Sequence, residues 1–119
     1  MNESIIEAKS FDFAVRIVRL YQYLSSVKKE FVMSKQLLRS GTSVGANAAE
    51  AERGQSKADF RAKMNIALKE ACETHYWLRL LHRTEYISDK EFQSIAPQAE
   101  ELIRILTAIC KSTDNPKSQ

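Results

Sequence analysis

Beginning at Phe13, apolar residues return at alternating steps of four and three: Phe13, Ile17, Leu20, Leu24, Val27 and Phe31. This is the repeat of one helical face, and it predicts an α-helix over about 11–29. Ser10 stands in the N-cap position, with Asp12 in the first turn where the helix dipole favours an anion. A second stripe, Phe11, Val15, Val18 and Tyr21, runs beside the first. One helix facing one core needs a single stripe. Two predict burial on two sides by neighbours in the bundle, with another subunit as a candidate for the outer side.

The same spacing marks three further segments. One opens near Ser34, spans about 35–53 and turns Leu37, Gly41, Val44, Ala48 and Ala51 inward, with Gly54 placed as its C-cap. Gly41, Gly45 and Ala49 recur every four residues along it. A mid-helix glycine costs roughly 1 kcal/mol against alanine, so this small-residue face predicts the close approach of another helix. Ser56 and Asp59 open the third segment, about 57–84, with Phe60, Met64, Ala67, Ala71, Leu78 and Leu81 inward. Ser88 and Glu91 form a capping box for the fourth, about 89–111, whose stripe holds Phe92, Ile95, Ala99, Leu102, Ile105, Leu106 and Ile109. Pro97 falls inside that stripe and predicts a kink or a displaced start. Residues 112–119 are expected to fray. Four helices on short links favour one all-α domain over 1–119, an antiparallel up-down four-helix bundle.

Composition agrees. Three glycines and two prolines in 119 residues are too few turn formers for a sandwich or barrel. With 44% hydrophobic and 28% charged residues, the chain has globular rather than disordered character. No apolar run approaches the ~18 residues of a membrane span, so no membrane association is expected. The opening Asn2-Glu3-Ser4 lacks signal-peptide character, and two cysteines then point to reduced thiols and a cytoplasmic location. In a hairpin turning near Tyr86, Cys72 and Cys110 fall out of register by roughly 15 Å, too far for a disulfide. Both are expected as small core or boundary residues.

Candidate chemistry is sparse. Cys72, His75 and His82 lie within reach of one helical face, but no CxxC pair, HExxH or Glu-x-x-His accompanies them, and no metal or cofactor is expected. Gly41-Thr42-Ser43-Val44-Gly45 looks loop-like, yet it sits in a helical pattern and lacks the phosphate-loop lysine. No serine has a histidine and an acid at a recognisable spacing. The chain is therefore read as no enzyme, with no small-molecule substrate.

Two polar features remain. Arg39, Ser43, Asn47 and Glu50 share one face of the second helix, while Glu70, Glu73 and Tyr76 repeat at three on the third. They are read as a structural hydrogen-bonded network between helices or adjoining subunits, with a ligand or RNA contact as the alternative. Charge is the second feature. The stretch Ser10–Thr84 carries net +6 and Glu85–Cys110 net −3, within +3 for the whole chain. The positive balance draws on Arg16, Arg19, Lys28, Lys29, Lys35, Arg79 and Arg83 among others. Clustered Lys and Arg can contact phosphates, and a symmetric oligomer repeats any such patch around its axis.

The stretches Leu38-Arg39-Ser40-Gly41-Thr42-Ser43-Val44-Gly45-Ala46-Asn47 with Glu50, and Asn65-Ile66-Ala67-Leu68-Lys69-Glu70-Ala71 running to Glu73-Thr74 and Tyr76-Trp77-Leu78, carry a resemblance. With Phe60 and Ile87 they resemble the four-helix-bundle family encoded within intervening sequences of bacterial 23S rRNA genes, from Phe11 to about Ile109. The family usually has glycine where Glu85 stands, so the third turn is expected to differ in detail. The resemblance implies a homopentameric ring. It also implies kinship with accessory proteins of diversity-generating retroelements, which bind nucleic acid and a reverse transcriptase through a basic ring surface.

The expectation is a homo-oligomeric bundle that binds RNA, or nucleic acid generally, through phosphate contacts from Arg16, Arg19, Arg53, Lys57 and Arg61. The rival is a protein–protein scaffold, favoured if Tyr23, Tyr76 or Trp77 lies exposed.

Overall fold

The computed structural model describes residues 4–114, which form four helices: α1 (Ile5–Ser26), α2 (Met33–Glu52), α3 (Lys57–Arg83) and α4 (Asp89–Asp114). No strand occurs among the described residues. The helices pack as an elongated bundle of 48 × 24 × 21 Å around one apolar core.

Two helix starts differ from the sequence expectation. α1 begins before Ser10, because Ser4 is its cap and accepts the Glu7 N–H at 3.1 Å. Ser10 is instead buried inside the helix, its hydroxyl donating to the Glu7 carbonyl. The inward face is thus Ile6, Ser10, Phe13, Ile17 and Leu24, about two turns longer at the front. It also ends sooner. Val27 and Phe31 fall beyond Ser26 and lie exposed at the α1–α2 turn. Ser34, likewise, is not the cap of α2. Glu30 does that work: its carboxylate accepts the N–H groups of Val32 (3.1 Å), Met33 (3.0 Å) and Ser34 (2.7 Å). The Ser34 hydroxyl returns a bond to the Glu30 carbonyl at 2.7 Å.

The other two starts follow the sequence pattern. Ser56 accepts the Asp59 N–H at 3.0 Å, and Ser88 and Glu91 exchange bonds of 3.1 and 2.9 Å. α4 runs unbroken through Pro97, so its start is not displaced. Gln93, whose carbonyl loses its amide partner there, is exposed and open to water. Residues 112–114 continue α4 rather than fraying, and 115–119 lie outside the described residues.

The turns show why certain residues stand where they do. Gly54 follows α2 but has no positive φ, so it is not a left-handed cap. A Cβ there would meet the Ala51 carbonyl oxygen at 3.2 Å and the Asp59 Cβ at 3.3 Å, so crowding explains its size. Glu85, by contrast, sits at φ 70°, the conformation that glycine adopts freely. Its N–H reaches the His82 carbonyl and the Tyr86 N–H the Leu81 carbonyl, the paired bonds of a Schellman motif.

The small face of α2 meets α1. A Cβ on Gly41 would lie 2.7 Å from Ile17 Cγ2, and one on Gly45 would lie 3.3 Å from the Ser10 carbonyl oxygen. Between α2 and α3 a fully buried pair forms, Thr74 Oγ1 lying 2.9 Å from Ser40 Oγ. Cross-helix bonds join Arg53 to Glu7 (3.2 Å), Lys63 to Glu50 (2.8 Å) and Arg61 to the Thr113 carbonyl (3.4 Å). The α2–α3 turn therefore lies beside the start of α1 and the end of α4. At the opposite end, Leu20 and Tyr23 of α1 line one groove with Ile87, Lys90 and Ile95 around the α3–α4 turn.

Candidate nucleic-acid interface

The five cations expected at phosphates do not form one surface. Arg16 is clamped onto α4, donating to the Ser94 carbonyl (3.1 Å), the Ser94 hydroxyl (2.9 Å) and Gln98 Oε1 (2.6 Å). Arg53 is paired with Glu7, and Arg61 reaches the end of α4. Arg53, Lys57 and Arg61 share one end of the bundle, while Arg16 and Arg19 lie further along α1. Only Arg19 and Lys57 of the five are exposed without a hydrogen bond or ion pair among the described residues.

The unpaired cations gather at the other end. Lys28, Lys29 and Lys35 flank the α1–α2 turn, and Arg79, Arg83 and Lys90 flank the α3–α4 turn. All six are exposed, and none of their side chains has a hydrogen bond or ion pair among the described residues. Carboxylates at this end are mostly occupied. Glu30 is buried as the α2 cap, Glu91 closes the capping box, and Asp89 lies 2.6 Å from His82 Nε2. The result is a surface of net positive charge, six cations without ion pairs beside four carboxylates, Glu30, Glu85, Asp89 and Glu91. A signal for it exists in the sequence: neither Arg79 nor Arg83 has an acid three or four residues away.

Of the seven polar residues, the structure brings three together. Arg39 of α2 bridges two carboxylates of α3, donating to Glu70 Oε1 at 3.2 Å and to Glu73 Oε2. Trp77 Nε1 donates to the same Glu73 oxygen at 3.0 Å, a partner that the spacing argument missed. The Trp77 bond and then Arg39 hold the Glu73 carboxyl below the usual carboxylate range. Glu73 in turn raises the Arg39 guanidinium further above its ordinary value. The remaining members act elsewhere. The Ser43 hydroxyl donates to the Arg39 carbonyl and Asn47 to the Ser43 carbonyl, within α2 itself. Glu50 pairs with Lys63, and Tyr76 stands 51% exposed, edge-on to Trp77.

Other chemistry is thin. Cys72 is exposed and Cys110 buried, so only Cys110 joins the core. His75 and His82 bond Glu100 (3.1 Å) and Asp89 (2.6 Å) separately, and no cluster of three metal-ligating residues occurs among the described residues. No described helix is long and apolar enough to cross a membrane.

A comparison with curated proteins finds no match. Among solved structures, the chain is similar to a crystal structure from Bacteroides thetaiotaomicron, a protein with unknown function from the S23 ribosomal protein family. The two are 58% identical over 90% of this chain and 99% of the other, with a TM-score of 0.88. The family of the 23S rRNA-intervening sequence protein matches residues 2–108. With nearly the full bundle inside that match, the chain belongs to the 23S rRNA-intervening sequence protein family.

Proposed function

We propose that this chain is a non-enzymatic, cytoplasmic RNA-binding protein, an antiparallel up-down bundle that assembles as a homopentameric ring. The observation that carries the RNA reading is the cluster of six exposed, locally unpaired cations at the end holding the α1–α2 and α3–α4 turns. Arg19 and Lys57 add to it as further exposed cations. Unpaired Lys and Arg gain counterion-release free energy from a polyphosphate, and salt weakens that gain. Copies of the cluster around a ring multiply its field.

Self-association is supported by α1. Phe11, Val15 and Val18 are 66%, 40% and 37% exposed and Tyr21 is half-buried, so the described residues leave the second stripe partly uncovered. Apolar stripes of this kind mark interaction surfaces.

Light scattering with and without total RNA, at low and high salt, tests both parts. The expected result is a species five times the 13.6 kDa chain mass that binds RNA only at low salt. A monomer removes the ring. A pentamer indifferent to RNA transfers the reading to the scaffold, which the exposed Tyr76 favours, as do the exposed Val27, Phe31 and Val32 at the α1–α2 turn, while Tyr23 and Trp77 are half-buried.

A further inference from the structure

We infer that the groove between α3 and α4 beside their turn docks an unpaired nucleotide of single-stranded RNA, its base on Tyr76 and its phosphate on Arg79 and Arg83. The inference rests on the RNA reading above and assigns it a site and a strand state.

The groove encloses about 490 Å³ and is lined by Tyr76, Arg79, Leu80, His82, Arg83 and Phe92. Tyr76, Arg79 and Arg83 follow at steps of three and four, so they share one face over about 10 Å of helix axis. Like charges four residues apart destabilise a helix, and no carboxylate is bonded to either arginine among the described residues. Two guanidinium forks four residues apart on one helix face, lining one groove, can both reach a phosphate diester.

The rings complete the site. Tyr76 is 51% exposed, with its ring set edge-on against Trp77 at 5.1 Å and 74°. His82 stacks flat on Phe92 at 4.3 Å and 7°, and Asp89 holds its Nε2 at 2.6 Å. A half-exposed aromatic ring held beside cations accepts the face of any base. A duplex hides those faces, so the site selects unpaired strand. A free nucleotide offers the same chemistry. The strand is favoured because four further unpaired cations, Lys28, Lys29, Lys35 and Lys90, lie at this end, more than one nucleotide engages.

The test is anisotropy of a short labelled oligouridine and of a hairpin duplex, with uridine monophosphate as competitor, on the full-length protein. Oligouridine is expected to bind more tightly than the duplex. Tyr76→Ala should weaken oligouridine at least about fivefold and leave the duplex unchanged, while Tyr76→Phe restores binding. Joint Arg79→Gln and Arg83→Gln should flatten the slope of log K against log salt by about 1.4. Equal charge removal by Arg104→Gln and Lys111→Gln should leave slope and preference unchanged. RNA binding that persists with wild-type affinity and slope in both groove variants overturns the site alone. Full displacement by uridine monophosphate at equal affinity overturns the strand as occupant. Absence of binding to any RNA overturns the site together with the reading beneath it.

Discussion

Gly41 of α2 lies so close to Ile17 of α1 that an added Cβ would sit 2.7 Å from Ile17 Cγ2 and 2.8 Å from Cγ1. Both residues are buried, and the atoms in the way belong to a β-branched side chain with little freedom to turn. Gly41→Ala gains about 1 kcal/mol of helix propensity but overpacks a filled core, which costs typically 1–3 kcal/mol. The net expectation is a lower urea midpoint. Ile17→Ala removes the obstructing carbons and alone costs about 2–5 kcal/mol. Adding Gly41→Ala to Ile17→Ala should therefore recover stability, a change of sign that a double-mutant cycle reads directly. A Gly41→Ala variant with a raised midpoint would refute the contact.

Glu85 holds a left-handed backbone at φ 70° in the Schellman motif that closes α3. For a residue with a Cβ that conformation costs roughly 1–2 kcal/mol. Glycine removes the cost, less about 0.4–1 kcal/mol for the greater freedom of its unfolded chain. Glu85→Gly should then stabilise the protein by about 0.5–1 kcal/mol, whereas Glu85→Ala keeps the Cβ and should not. Thermal unfolding of the two variants decides the matter; equal melting temperatures would mean that the turn relaxes without strain.

Glu30 carries a pH dependence. Burial pushes its carboxyl up, but N–H bonds from Met33, Ser34 and Val32, with the Ser34 hydroxyl bond, outweigh burial and leave it below the ordinary value. A depressed folded value means that its stabilisation is present above the ordinary carboxylate range and is lost as pH falls through the folded value. Glu30→Ala should cost about 1–3 kcal/mol near neutral pH, since three amides lose a charged acceptor. The gap between wild type and variant should close in acid. Denaturation curves at neutral and acid pH that keep the same gap would contradict the carboxylate cap.

What could be read in the sequence was local. Ser56 with Asp59 and Ser88 with Glu91 declared two helix starts, because a capping bond spans only three residues. The Gly41–Gly45 spacing announced a close helix contact for the same reason of periodicity. The α2 cap escaped notice because a carboxylate at Glu30 replaces the usual small cap side chain. Which of the expected cations find partners is settled on non-local grounds. Arg53 finds Glu7 across 46 positions and Arg16 finds Gln98 across 82, pairings that emerge only on folding, whereas the lack of a nearby acid at Arg79 and Arg83 is legible in the sequence. Trp77, four residues after Glu73, is within reach of a spacing argument.

Ser40 and Thr74 pose the sharpest case of a long-range bond between small polar groups. Both are 0% exposed, with their hydroxyl oxygens 2.9 Å apart across the α2–α3 interface. Thr74 also reaches the Glu70 carbonyl at 2.7 Å, and Ser40 the Leu37 carbonyl at a long 3.4 Å. Ser40 thus depends on Thr74 more than Thr74 depends on Ser40. Removing one partner strands the other in a dry interior, which costs about 1–3 kcal/mol. Thr74→Val should accordingly be the more destabilising single change, and Ser40→Ala the milder one. Replacing both leaves no buried hydroxyl without a partner and a nearly unchanged volume at position 74. The double variant should therefore be more stable than the sum of the two losses predicts, by roughly 1 kcal/mol in a double-mutant cycle. Strict additivity would show that the two hydroxyls are satisfied by their own helices, and that α2 and α3 are held together by apolar packing and the Arg39 bridge without them.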